Sequence, residues 1–221
     1  MRPLIQAVIF NLDGVLTDTD ACHERAWRQM AREQGLPFTP EIYRKMRGRR
    51  RMDSLNALLS HAERTYSPGE TWALAARKND LFNDLVLHLG REGILPGAEE
   101  TLRTLRDMGI RTAVASSSEN AAGILRQMKM DALLDAVVDG EDAAEGKPDP
   151  ELLLLAARRL KTPTGNCLVI DNSLAGAEAA RAAGMRCLLI GNETGAAAES
   201  LNALALPERI RRDNGEMNGK E

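Results

Sequence analysis

The chain has no apolar run approaching membrane-spanning length and no secretory pattern at its amino terminus, so neither a membrane protein nor an exported one is expected, and a cytoplasmic location is. Cysteine is scarce. Cys22, Cys167 and Cys187 are odd in number and far apart, which fits neither a disulfide framework nor a zinc site and leaves three reduced thiols. An excess of one charge is lacking too: a net charge of -3 gives no electrostatic reason to expect a nucleic-acid partner. Internal repeats and low-complexity segments are absent. What remains is a composition of 43% hydrophobic and 28% charged residues, ordinary for a soluble globular protein. Its 221 residues suffice for one large domain or for a core with an insertion. We expect a monomer whose partner is a small molecule.

The most informative stretch covers residues 7–18 and reads Ala-Val-Ile-Phe-Asn-Leu-Asp-Gly-Val-Leu-Thr-Asp. An apolar run ending in polar side chains and a glycine predicts a buried parallel strand that delivers functional groups to the carboxyl edge of a sheet, where open α/β folds bind ligands. Asn11 and Asp13, two apart, point to the same side of an extended chain, and Gly14 removes the side chain where the backbone turns out of the sheet. Helical spacing follows, with His23, Ala26, Trp27 and Met30 at i, i+3, i+4 and i+7 and Leu55, Leu58, Leu59 and Ala62 repeating the arrangement. No strand is evident over 17–87, which predicts a helical insertion ending near Gly90 and Gly93. The chain then alternates: helix 98–108, strand 111–115, helix 119–129, strand 136–138, helix 150–160, strand 167–170, helix 174–183 closed by Gly184, and strand 186–190. This pattern predicts an α/β fold, a Rossmann-like parallel sheet with helices on both faces. Alanines at 179–183 and 196–198 read as helix formers packed closely on that sheet, and 207–221, poor in apolar residues, reads as a flexible tail.

Further polar residues fall at the same rim. Ser116, Ser117 and Ser118 follow a strand and precede a helix, as either a helix cap or a phosphate-binding turn. Lys147 sits in Gly-Lys-Pro-Asp-Pro, where prolines fix the chain as it enters a helix, and alone it reads equally as a solvated cation. The strand at 167–170 runs into Asp171 and Asn172, and Asn172 also suits a turn or cap. Within the insertion, His23 and Trp27 share a helix face as packing or as ligand contacts, while Arg49, Arg50 and Arg51 form a basic run that is either a solvated face or an anion site.

With Asn11 standing where the pattern has Asp, residues 7–18 resemble the first motif of the haloacid dehalogenase superfamily, Asp-x-Asp-Gly-x-x-x-Asp, whose first Asp is the nucleophile. Ser116 matches the second motif's phosphate-binding Ser, Lys147 the third motif's bridging Lys, and Asp171 with Asn172 the adjacent carboxylates of the fourth. The inserted segment resembles the β-phosphoglucomutase-like subgroup, which implies a core domain over 1–16 and 91–206 and a helical cap domain over 17–90. That resemblance places Thr19, His23, Trp27, Gly48, Arg51, Lys78, Ser117, Ser118 and Asn120 in the substrate-binding set, with Arg51 gripping the substrate's second phosphate. Glu119 departs from the subgroup, which commonly carries Lys there.

The implied activity is a phosphotransferase that interconverts β-D-glucose 1-phosphate and glucose 6-phosphate. Its catalytic positions are Asn11, Asp13 as general acid and base, Lys147 and Ser116, and its Mg²⁺ set is Asn11, Asp13, Asp171 and Asn172. The two amides conflict with this. An amide has no anionic oxygen to attack phosphorus and is a weaker ligand for a hard cation. Three readings therefore stand: such an enzyme with two carboxylates exchanged for amides, a native non-catalytic sugar-phosphate binder, and a sugar-phosphate phosphatase.

Overall fold

A computed structural model describes residues 4–191 and 205–215. Five parallel strands form one sheet in the order β3-β2-β1-β4-β5: β1 Ala7–Phe10, β2 Arg111–Ala115, β3 Ala136–Val138, β4 Cys167–Asp171 and β5 Arg186–Leu189. Phe10 lies opposite Val114 on one side and Ile170 on the other, so the residues that follow β1, β2 and β4 emerge together at the carboxyl edge.

The central strand alternates, and that alternation assigns the helices. Val8 and Phe10 face one layer, with α5 Ala98–Asp107, α6 Ala121–Gln127 and α9 Leu206–Asp213 contributing Leu102, Leu105, Ile124, Leu125, Leu206 and Ile210. Ala7 and Ile9 face the other, with Leu152, Leu153 and Ala156 of α7 Glu151–Arg159 and Ala179 and Ala180 of α8 Leu174–Ala182. The small side chains of α8 let it lie close to the sheet, as the sequence predicts for 179–183. The alanines at 196–198 lie outside the described residues.

Between β1 and α5 the chain forms α1 Thr19–Glu33, α2 Pro40–Met46, α3 Arg51–Leu59 and α4 Pro68–Leu89. The expected periodicities fall on α1 and α3, though α3 stops before Ala62. Helix α4 starts in a full capping box, in which the Ser67 hydroxyl accepts from the Glu70 N–H and the Glu70 carboxylate accepts from the Ser67 N–H. Where this helical segment leaves and rejoins the sheet layer, the two chain passages bond to each other, Asp18 N–H to Gly93 O at 2.7 Å and Leu95 N–H to Leu16 O at 3.0 Å.

One expectation is corrected. Residues 207–215 are not a loose tail: α9 buries Leu206 and Ile210, and the Asn214 side chain accepts from Ile5 N–H at 2.7 Å and donates to Ile5 O at 3.0 Å. Two apolar residues a turn apart suffice to dock a short helix, and so few are easily lost among mixed charges.

Candidate active site

The site begins at the end of β1, and Gly14 makes it compact. Its φ of +73° suits glycine, and a Cβ there would run into the Asn172 side chain, so β1 and β4 deliver their polar residues against one another. Behind them Lys147, in the loop between β3 and α7, extends its ammonium under the sheet edge. Lys147 Nζ donates to Asp171 Oδ2 at 2.8 Å, Ala115 O at 2.8 Å and Asn11 Oδ1 at 3.2 Å, which occupies its three N–H bonds. The Lys147 and Asp171 side chains are 1% and 0% exposed. The other Asp171 oxygen accepts from Asn172 N–H, Ser173 N–H and the Ser173 hydroxyl at 2.8 to 2.9 Å.

This arrangement fixes the Asn11 amide. With Oδ1 facing the ammonium, Nδ2 donates to Asp13 O and Asn172 Oδ1, both at 3.1 Å. Turning the amide over would set its N–H groups against the Lys147 donors and its oxygen against two acceptors.

Mg²⁺ does not fit this constellation. A hard cation needs several anionic oxygens converging on it, and here Asn11 and Asn172 bring neutral amides bonded to each other while Asp171 is enclosed with Lys147. Among the described residues no group of three or more His, Cys, Asp or Glu is placed to hold a metal ion.

In front of Asn11 opens a cleft between the sheet edge and α1–α4. Of the residues singled out in the sequence, Asn11, Asp13, His23, Trp27, Gly48, Arg49, Arg51, Lys78, Ser116, Ser117, Ser118, Glu119, Asn120 and Asn172 line it. Lys147, Asp171 and Thr19 do not. Thr19 instead donates from its buried hydroxyl to Asp13 Oδ1 at 2.6 Å and so positions that carboxylate. The other Asp13 oxygen accepts from Ser116 Oγ at 3.4 Å. The cleft adds residues that the sequence did not single out: Asp20, Tyr43, Met46, Arg47, and Ser54. Arg47 pairs with Asp20 at 2.8 Å, and the Tyr43 hydroxyl reaches the same carboxylate at 3.2 Å. The signal for Arg47 was available, since only Gly48 separates it from the basic run 49–51; nothing local marks Tyr43.

A buried polar chain crosses the cleft roof. Lys78 Nζ donates to His23 Nδ1 at 2.6 Å, and His23 Nε2 lies 3.5 Å from Asp13 Oδ1, which fits a neutral imidazole protonated on Nε2. His23 stacks on Phe82 at 3.9 Å, and the Lys78 ammonium sits over the rings of Phe82 and Trp27. His23 and Trp27 are thus both packing and lining. Burial, then the neighbouring Arg51, drive the Lys78 ammonium down to about 7. Burial, then Lys78, also lower His23. For Asp13 burial works upward, but His23, the Thr19 hydroxyl and Lys78 outweigh it and hold the carboxyl at about 2.

Polar contacts join the two walls. Arg51 Nη2 bonds Glu119 Oε2 at 2.8 Å, Arg50 donates to Gly140 O at 2.6 Å and to Ala144 O, and Asn120 Nδ2 donates to Asn79 Oδ1 at 2.9 Å. Gly48, at φ +74°, approaches the α8 cap so closely that a Cβ would meet the Ser173 hydroxyl.

A parallel sheet presenting Asn11, Asp13 and Ser116 beneath an inserted helical roof is an open α/β fold with polar residues at its carboxyl edge, and residues 5–184 match the haloacid dehalogenase-like hydrolase family, to which the chain belongs. Within it the chain falls in the β-phosphoglucomutase-like subgroup. It is 37% identical over 189 residues to the β-phosphoglucomutase of Bacillus subtilis strain 168, covering 85% of this chain and 84% of that one. It is 31% identical over 184 residues to a phosphorylated carbohydrates phosphatase of Thermotoga maritima, covering 82% of each. The crystal structure of a β-phosphoglucomutase from Clostridium difficile superposes with a TM-score of 0.87 at 31% identity, over 96% of this chain and 98% of that one. The family's members include phosphatases and phosphotransferases, consistent with an enzyme ancestry for this cleft.

Proposed function

We propose that the chain is a β-phosphoglucomutase-type protein whose cleft takes a glucose phosphate, and that it does not turn this ligand over as it stands. The parent reaction is the interconversion of β-D-glucose 1-phosphate and glucose 6-phosphate. The observation that carries the reading is the locked Asn11 amide: position 11 faces the cleft beside Asp13 and Ser116, yet its oxygen is neutral and bonded to Lys147. Asp13, held ionised and oriented by Thr19, suits proton transfer with a sugar hydroxyl, and Ser116 suits a phosphoryl oxygen.

A coupled assay of glucose 6-phosphate formation with a bisphosphate primer and Mg²⁺ tests this. The unmodified chain should be silent, Asn11→Asp should recover part of the activity, and Asn11→Asp with Asn172→Asp should turn over. Robust turnover by the unmodified chain would refute the role given to Asn11. A folded but inert double variant would favour a non-catalytic binder.

A sugar-phosphate phosphatase is the second reading. The Arg51–Glu119 pair favours it, because a phosphatase needs one phosphate site and the Glu119 carboxylate is bonded to the arginine that the resemblance would give to a second phosphate. Release of inorganic phosphate by the double variant, without glucose 6-phosphate from the 1-phosphate, would select it.

A further inference from the structure

We infer that Lys78 is a nucleophilic amine and a covalent capture site, which condenses with small phosphorylated aldehydes to a reversible imine that closes the cleft to sugar phosphate. The inference goes beyond the proposed reaction and takes from that reading only the phosphate-binding end of the cleft.

Lys78, in the middle of α4, is 2% exposed yet lines the cleft. An apolar enclosure and a neighbouring cation each favour the neutral form of a lysine amine, and Lys78 has both. The rings of Phe82 and Trp27 lie 4.6 and 5.0 Å from Nζ, and Arg51 adds positive charge from α3. Its hydrogen bond goes to His23 Nδ1 at 2.6 Å and not to a carboxylate. With the ammonium driven down to about 7, about half of it is free amine at neutral pH, against roughly one part in two thousand for a solvated lysine. The other lysines among the described residues differ: Lys147 spends its three N–H bonds on Asp171, Ala115 and Asn11, and Lys45, Lys129 and Lys161 are exposed.

Imine formation balances with the groups present. The Nζ lone pair bonds the aldehyde carbon, the carbonyl π pair moves to oxygen, and that oxygen takes up a proton as the nitrogen gives one up. The carbinolamine then loses its hydroxyl with a second nitrogen proton as water, leaving C=N. No oxidant or reductant is consumed. His23 Nδ1 is placed to receive and return these protons. Phosphate is the second handle. Ser116, Ser117 and Ser118 line the same cleft, and contacts of 2.6, 3.5 and 3.4 Å run from Lys78 through His23 and Asp13 to Ser116. A molecule with an aldehyde at one end and a phosphate at the other suits that path.

Pyridoxal 5′-phosphate at limiting concentration and pH 7, followed by borohydride reduction of the C=N bond and peptide mapping by mass spectrometry, tests the inference on the unmodified chain. Lys78 should carry roughly tenfold more adduct than any other lysine, and Lys78→Met should lose the imine absorbance. Pyridoxal, which lacks the phosphate, should label Lys78 roughly tenfold less. β-Glucose 1-phosphate, which has no free aldehyde, should protect Lys78. Should Lys78→Met not fold, the peptide map of the unmodified chain decides. Adducts spread over the exposed lysines with Lys78 unlabelled, or equal labelling of Lys78 by pyridoxal, overturn the inference. If Lys78 stays unlabelled while calorimetry shows β-glucose 1-phosphate bound, the inference falls and the phosphosugar reading stands. If Lys78 is labelled and β-glucose 1-phosphate neither binds nor protects, the phosphosugar reading falls and the capture site stands.

Discussion

At the scale of single residues, two buried lysines behave oppositely because one has a carboxylate and the other does not. Lys147 is matched by Asp171 in full burial, so Lys147→Met strands an enclosed anion and should destabilise the fold by about 3–5 kcal/mol, read by urea denaturation. Lys78 is surrounded by His23, Arg51, Asp13, Cys22 and aromatic faces, with no direct anionic partner among the described residues. Its folded pKa lies below its unfolded one, so the unfolded chain holds the extra proton between them. The penalty of a buried charge is therefore fully present below about pH 7 and is relieved as the pH rises toward the ordinary lysine value. Lys78→Met should accordingly stabilise the protein relative to the unmodified chain at pH 6.5, and the gain should shrink by about 2 kcal/mol by pH 9 in paired denaturation curves. A pH-independent difference would refute the buried-charge account.

At the scale of elements, the strands and most helices were legible because their burial follows the period of the sequence. The run 7–10 alternates between two apolar layers and still reads as continuous, being buried on both faces. The convergence of Asn11, Ser116 and Asp171 on one edge was legible too, since each directly follows or ends a strand. What the sequence could not carry is direction at the rim: Lys147 and Asp171 turn behind Asn11, and Thr19 turns onto Asp13, because hydrogen-bond partners far apart in the chain decide it. Helix α9 was missed for a related reason, its stability coming from the sheet layer. Ile210→Ala should therefore cost about 2–5 kcal/mol, measured by thermal or chemical denaturation, despite the polar helix around it. A surface-like effect below about 0.5 kcal/mol would show that α9 is not docked.

At the scale of the molecule, the cavity within the cleft is about 60 Å³, room for a few waters and too little for a hexose phosphate, whose sites run to about 300 Å³ or more. We propose that residues 17–90 act as a cap that swings from a core of 1–16 and 91–206 to admit ligand. Arg50→Ala with Arg51→Ala removes bonds across the walls and should enlarge the radius of gyration in solution scattering, and saturating glucose 6-phosphate should reduce it in the unmodified chain. Identical profiles in all these states would contradict cap motion.

The paired passages at Asp18–Gly93 and Leu16–Leu95 carry a last consequence. The backbone departs from the sheet layer and returns to it at adjoining points, so to the five strands everything between is topologically a hairpin tip. Helices of other lengths or shapes can be spliced in at that junction without re-registering a single strand, leaving the polar rim in place while the roof over it is rewritten.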